Sequence, residues 1–465
     1  MRLALGLALL ALAGPAFGQA LGGGEAAQPM AVCGGDLARL NQLSGWQGRW
    51  PRELAAIAAL PAAEQENALE RWRAAPASLR AEIETLRTSL AQGKAAPAAV
   101  ARRVLDQVDG LLAAGIAPGL TDAAWRTFLD GELKAELTAY ANFLRQTYIP
   151  AAPDGSSLAG SPGGRACFEG AVKTWSSRAI TADELEAMGR RDLAAYRAEL
   201  TRLAGLPPES SAKALEQVRG LATRSTATRE DILRLSQDAI ARAQAAAPRA
   251  FDAAGLAPLE VRPVPAALES SLPAGLYEPA GPGRPAAYAI NLSRPGERRA
   301  MVEAIAFHEG APGHHLAFSM AKAPGTFNSG FVEGWAIYAE HLADELGLYS
   351  SAEDRMGAAA KHLWAASRLV VEPGLHVHGW SRQQAIDFLR QNTALPDAEI
   401  AIEVDRYLAL PGQSVAYMVG YDSIRRARER TERREGAGFD LKRFHARLLE
   451  PGPRGLEALE TEFGP

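Results

Sequence analysis

Cysteine and histidine are scarce over most of this sequence. The chain of 465 residues has two cysteines, and none of its eight histidines precedes His308. Charge of one sign is not in excess either, because 50 basic and 54 acidic residues give a net charge of −4. This balance gives no electrostatic reason to expect nucleic acid or an anionic membrane as a partner. The hydrophobic content of 47% is that of an ordinary folded protein.

An apolar stretch stands at the N-terminus. Arg2 precedes the run from Leu3 to Leu12, and Ala16-Phe17-Gly18 follows with small residues around a cleavage position. This pattern predicts a signal peptide over residues 1–18, and the run is short for a bilayer span. We therefore expect a periplasmic or secreted protein without stable membrane insertion, a retained anchor being the alternative. No cysteine directly follows the run, which speaks against a lipid anchor.

The two cysteines, Cys33 and Cys167, would both remain after cleavage. In an oxidising compartment an even pair predicts one disulfide, which would tie the mature N-terminus to the segment after residue 165. The alternative is a pair of buried free thiols.

Helical patterns dominate the chain. Helix-favouring alanine, leucine, arginine and glutamate are abundant. Apolar residues recur at helical spacing, as in Val100, Val104 and Val108, which is typical of a core-facing stripe. We predict a mainly α protein, with an N-terminal helical region over 19–160 and a second region over 161–465. Helices in the C-terminal part are predicted at about 331–347, 352–372, 382–391, 397–409, 413–435 and 440–450.

A small β element is predicted before the histidine-rich part. Short strands are expected at 259–263 and 287–292, and a helix from about Gly296 leads on to His308. A strand just ahead of that helix could bind an extended peptide as an added strand.

Seven of the eight histidines fall between residues 308 and 378, which indicates a site in the second half of the chain. His308-Glu309 begins the pattern, but Pro312 occupies the position one turn later, where a zinc-binding helix would carry its second histidine. On a straight helix His308 and His315 share a face with a rise of about 10 Å. Pro312 and Gly313 should distort the helix, so that either His314 or His315 reaches the metal.

Glu333 lies in the first turn of the next predicted helix and could complete the set. Two histidines and one glutamate are a donor set for one catalytic zinc ion, with a position left open for water. Glu309, adjacent to a ligand but not bound to the metal, would take the proton of that water and pass it to the leaving amine.

Several motifs in this order resemble the bacterial family called domain of unknown function 885. The motifs are His308-Glu309-x-x-Pro312-Gly313-His314-His315, Glu333-Gly334-Trp335-Ala336-x-Tyr338, Gly374-x-His376-x-x-Gly379-Trp380-Ser381, Glu403-Val404-x-Arg406-Tyr407, Pro411-Gly412-Gln413 and Tyr417-x-x-Gly420. The family is similar to helical zinc peptidases such as oligopeptidases and angiotensin-converting enzyme. The resemblance implies a large helical metallopeptidase-like fold with a central cleft between two halves, and a peptidase-like activity. Ala317 departs from the glutamine that is common after His-His-Leu in the family.

Three residues farther along the chain are candidates for contact with the substrate. His376 follows a predicted break at Pro373-Gly374, and Arg406 and Tyr417 could donate hydrogen bonds to an oxyanion or a substrate carboxylate. Ordinary helix packing is the alternative for each of them.

We therefore expect a secreted, zinc-dependent peptidase acting on short or unfolded peptides, with Glu309 as general base. The alternatives are another metal-dependent amide hydrolase and a non-catalytic peptide-binding protein of the same fold. The retained Glu309 argues against the second alternative. The sequence does not define an oligomeric state.

Overall fold

Helices form most of the described chain. The computed structural model describes residues 40–43, 45–156, 158–252, 256–264, 269, 273–281 and 284–464. The longer helices are α1 Trp46–Ala58, α2 Ala62–Trp72, α3 Ala75–Ala91, α4 Ala98–Ala114, α5 Ala123–Phe128, α6 Lys134–Phe143, α7 Gly164–Ser176, α8 Ala182–Leu203, α9 Ser211–Arg224, α10 Arg229–Ala246, α11 Val302–Glu309, α12 His314–Met320, α13 Ser329–Glu345, α14 Ala352–His376, α15 Arg382–Asn392, α16 Asp397–Ala409, α17 Ala416–Glu435, α18 Leu441–Leu449 and α19 Leu456–Phe463. Single turns at Ile149–Ala151 and Pro295–Arg298 are also α-helical. The predicted mainly α class is confirmed.

Among the residues that the structure describes, no helix is both long and apolar enough to cross a bilayer.

The chain divides into two compact units. The described residues of the N-terminal unit fall within Met1–Ala171, Gly374–Ala385 and Ala401–Pro411. Those of the C-terminal unit fall within Val172–Pro373, Ile386–Ile400 and Gly412–Pro465. The division at residue 160 that we expect from the sequence stays a prediction, and the signal peptide over 1–18 lies outside the described residues.

The core of the N-terminal unit is formed by the apolar stripes of its helices. Val100, Val104 and Val108 on α4 are fully buried, as the spacing predicts. π-Helical segments at Leu129–Leu133 and Leu144–Tyr148 follow α5 and α6 directly, so that the helical backbone continues without a break. The apolar stripes predicted in this region thus serve packing.

Cys167 lies on α7 and is disulfide-bonded. Its predicted partner, Cys33, lies outside the described residues, so the pairing stays a prediction.

The C-terminal unit contains a three-stranded sheet with the order β1-β3-β2. The strands are β1 Leu259–Pro263, β2 Gly275–Glu278 and β3 Ala286–Ile290. Strand β3 pairs in parallel with β1 and antiparallel with β2, and all five of its residues are buried. The expectation that the strand nearest the metal helix accepts a peptide is therefore wrong for β3, because both of its edges are already paired. The sequence did not predict β2, which is an edge strand.

The predicted break at Pro373-Gly374 is also wrong, because α14 continues through Pro373 to His376. A proline removes one backbone donor, and near the end of a helix this costs a single bond. Trp380 closes the end, since its backbone N–H donates to the Gly374 carbonyl at 2.8 Å and its ring lies where a Cβ on Gly374 would be.

Candidate metal centre

The two parts of the histidine motif lie on separate helices. α11 ends at Glu309, α12 begins at His314, and the peptide bond between Ala311 and Pro312 in the connecting loop is cis. The loop is held by Trp335 on α13, whose indole Nε1–H donates to the carbonyls of Pro312 and Gly313 at 3.0 and 3.2 Å. A Cβ at Gly313 would lie 1.9 Å from the His308 carbonyl oxygen, so only glycine permits this return of the chain. The predicted distortion is confirmed.

This loop brings two histidines to one carboxylate. Glu333 Oε2 lies 3.3 Å from His308 Nε2 and 3.6 Å from His314 Nε2. The three side chains can offer ligand atoms that all lie within 4.8 Å of one another. Ligand atoms about 2.0–2.2 Å from a tetrahedral zinc lie about 3.3–3.6 Å apart, which these distances match. His308, His314 and Glu333 thus form a possible metal-binding triad.

The hydrogen bonding of the triad also fits a metal. Glu333 Oε2 is buried and has no hydrogen-bond partner among the residues that the structure describes, although two ring nitrogens face it. A buried carboxylate oxygen without a partner is costly, and a cation between the three atoms would satisfy it. The donor set is the one that zinc prefers in catalytic sites.

The structure resolves the choice between the two adjacent histidines. His315 is fully buried, and its Nε2 lies 2.8 Å from the Ala257 carbonyl oxygen. It therefore faces the segment before β1, and His314 is the histidine that joins His308. Burial lowers the pKa of His315, which fits a neutral ring donating to that carbonyl.

A buried charged network lies behind His308, on the side of its other ring nitrogen. Glu340 on α13 accepts the His308 Nδ1–H at 2.7 Å through Oε1. The same oxygen accepts from Lys361 Nζ at 2.5 Å, and Oε2 accepts from His362 Nε2 at 3.1 Å. Glu340 is fully buried. Sequence reasoning assigned no role to these three partners of His308 and Glu340; the one signal was the placement of Glu340 two helical turns after Glu333.

The charges of the network oppose the effect of burial. Burial acts to raise the pKa of Glu340, but the Lys361 ammonium and the bonds from His308 and His362 hold that pKa well below its usual range. Burial and Lys361 act to lower the pKa of His308, but Glu333 and Glu340 raise it to about 9. Both acidic residues thus favour a positive charge at this position, whether it is a proton or a metal ion.

The candidate general base, Glu309, follows the first ligand directly. It is 9% exposed, and its carboxylate has no hydrogen-bond partner among the described residues. Strand β2 lines the site, because a Cβ on Gly275 would lie 3.3 Å from Glu309 Cγ. Two residues on, the Tyr277 ring lies 6.3 Å from that of His314 and stacks on Phe318 at 5.6 Å.

Tyr417 reaches the metal centre because α13 and α17 approach backbone to backbone. A Cβ on Gly334 would lie 2.3 Å from the Gly420 carbonyl carbon, and one on Gly420 would lie 1.7 Å from the Gly330 carbonyl oxygen. One turn before Gly420, the Tyr417 ring is nearly parallel to the His308 ring, with centroids 6.2 Å apart. The structure thus places Tyr417 beside the candidate ligands.

The other two substrate-contact candidates belong to the N-terminal unit. His376 is fully buried, with Nδ1 2.6 Å from Ser156 Oγ and Nε2 3.0 Å from the Tyr407 carbonyl oxygen. Arg406 pairs with Glu403 on its own helix at 3.4 Å. Both ring nitrogens of His376 therefore already have partners within this unit.

The fold and the site define a mainly helical protein with a small three-stranded sheet and a buried His-His-Glu group. Residues 16–463 match the model of the family described as "Bacterial protein of unknown function (DUF885)". The chain therefore belongs to this family, as the motifs indicated.

Two solved structures have a similar fold. One is a "putative lipoprotein" from Colwellia psychrerythraea, 22% identical, with a TM-score of 0.76 over 91% of this chain and 80% of that one. Another is a "putative lipoprotein of unknown function" from Shewanella oneidensis, 20% identical, with a TM-score of 0.67 over 89% of this chain and 81% of that one. No curated protein matches the sequence.

Proposed function

We propose that this protein is a zinc-dependent peptidase that hydrolyses short or unfolded peptides, with Glu309 as general base. The observation that carries the proposal is the convergence of His308, His314 and Glu333 on one point, with Glu309 next to the first ligand. One zinc ion held by the triad would polarise a substrate carbonyl and lower the pKa of a water molecule. The cleft between two helical halves that the resemblance implies remains part of this proposal.

Glu309 has the properties that a base at this position needs. Its carboxylate is nearly buried yet engages no described donor, so it is available to accept a proton. A protein that only bound peptides would have no use for such a carboxylate, which favours catalysis over the binding alternative. Tyr417, beside His308, would donate to an oxygen of the substrate.

Strand β2 offers a path for the substrate. Gly275 and Tyr277 are two residues apart and therefore lie on the same face of this edge strand. Gly275 is beside Glu309, and Tyr277 is beside His314. An extended peptide that paired with β2 would run past the triad with its carbonyls in reach. Substrate contacts from His376 and Arg406 also remain part of the proposal, although the partners described for both residues lie in the N-terminal unit.

We place the protein in the periplasm or outside the cell, as the predicted signal peptide over 1–18 indicates. The two proteins of similar fold are described as lipoproteins, which agrees with an extracytoplasmic place.

Elemental analysis combined with a peptide-library digest tests the function. The wild type should carry about one zinc per chain and cleave peptides. Glu309→Gln should keep its zinc and its stability, while the rate falls by ~10²–10⁴-fold. His308→Ala should lose metal and activity together. If Glu309→Gln loses its zinc, Glu309 is a ligand, and if it keeps near-normal turnover, another group moves the proton.

A further inference from the structure

Of the three residues in the triad, only His308 is hydrogen-bonded to the Glu340 carboxylate. The ring of His308 has Nε2 directed toward Glu333 at 3.3 Å and Nδ1 directed toward Glu340 at 2.7 Å. A histidine that binds a metal through Nε2 must carry its proton on Nδ1. The acceptor at Nδ1 therefore decides whether the ring offers a lone pair to the metal.

Lys361 lies on the Nδ1 side of the same ring. Its Nζ is 2.5 Å from Glu340 Oε1 and 3.5 Å from His308 Nδ1, and the residue is 8% exposed. An ammonium has three donors and no acceptor, so it can only donate toward its neighbours. Among the described residues, Glu340 is its one charged partner.

We propose that Glu340 is the positioning residue that keeps the proton of His308 on Nδ1, and that Lys361 is the buried counter-ion of Glu340. This inference rests on the proposed metal site. His362 holds the second carboxylate oxygen at 3.1 Å, so the carboxylate cannot turn away from His308 without losing that bond. Lys361 contacts His308 on the Nδ1 side of the ring, away from the Nε2 atom that faces Glu333, and is not itself a ligand.

Removing the Glu340 carboxylate should change one property above all, namely which nitrogen of the His308 ring carries the proton. In Glu340→Gln the buried ammonium loses its counter-charge and can donate to His308 Nδ1 instead. That bond places the ring proton on Nε2, the atom that must face the metal. Metal affinity should fall by roughly 10–100-fold, the usual cost of losing such a partner. In the double variant Glu340→Gln/Lys361→Met the competing donor is gone, so part of the affinity should return.

The test measures zinc affinity by competition with a chromophoric chelator, and the absorption spectrum of the Co²⁺ form. The order of affinity should be wild type, then the double variant, then Glu340→Gln. The matched control is Arg355→Met, because Arg355 Nη2 donates to Asp344 Oδ2 at 2.9 Å between the same two helices, α13 and α14. This variant should lose stability and keep both the affinity and the Co²⁺ spectrum.

Four results would overturn all or part of the inference. Glu340→Gln could bind zinc as tightly as the wild type, which removes the positioning role. The double variant could bind no better than Glu340→Gln, which removes the role of Lys361. If Glu340→Gln does not fold, the double variant, which buries neither charge, is compared with the wild type, and equal affinity refutes the role of Glu340.

A wild type that binds no divalent metal refutes the proposed function and this inference together, whereas metal binding without peptide cleavage refutes only the function.

Discussion

Replacing His376 by glutamine should make the stability of the protein less sensitive to acid. Burial lowers the pKa of His376 to about 4 from an ordinary 6.5. The folded state therefore resists protonation, whereas the unfolded state accepts a proton below pH 6.5. The stabilisation from this residue is complete above pH 6.5 and is lost as the pH falls toward 4. The full linkage is about 3 kcal/mol, and about 2 kcal/mol of it is lost between pH 7 and pH 5.

Urea unfolding of both proteins at pH 7 and pH 5 measures this difference. His376→Gln keeps a donor for the Tyr407 carbonyl but cannot be protonated, so its free energy of unfolding should fall by about 2 kcal/mol less than that of the wild type. Ser156→Ala is the control, because it removes the partner of Nδ1 and leaves the ring buried, so the pH dependence should persist. Equal pH dependence in His376→Gln and the wild type would refute the reasoning.

Two further outcomes follow from the geometry of the C-terminal unit. His314→Ala should lose zinc in elemental analysis while His315→Ala keeps it, because only His314 belongs to the triad; the reverse result would exchange the two roles. Gly420→Ala should lower the free energy of unfolding by about 1–3 kcal/mol or more in urea titration, because the added Cβ meets backbone. Gly438→Ala is its control, since a Cβ there would meet nothing within 4 Å; equal stabilities would contradict a tight helix contact.

Helices were predictable from the sequence where one face is apolar and the ends carry signals. Thr181 and Glu184 have the spacing of a capping box, and in the structure both of its reciprocal bonds are made at the start of α8. Strand β2 was missed because Gly275–Glu278 is four residues long and stands in a stretch rich in proline and glycine. At Pro373 the error was the opposite one, because the proline predicted a helix end that the structure does not have. The cost of one missing donor is small near the end of a helix.

The metal centre was partly predictable because its chemistry is local in the chain. His308, Glu309 and the following Pro312-Gly313 indicated a distorted metal helix from residue types alone. The choice of His314 depended on the direction in which the chain leaves Gly313, and this is set by a close contact with the His308 carbonyl oxygen. Spacing alone does not contain that contact, so the sequence left two histidines open.

Helix α13 holds His308 from both sides of its ring. Glu333 and Glu340 stand seven residues apart, which places them on one face about two turns apart. Their carboxylates meet Nε2 and Nδ1 of the same imidazole at 3.3 and 2.7 Å. Between them, Trp335 holds the loop that delivers His314. Because one rigid helix sets the ligand, the partner of the ligand and the loop, a rotation of α13 would disturb all three at once. We therefore expect substitutions that rotate this helix to abolish metal binding even where none of the three metal-binding residues changes.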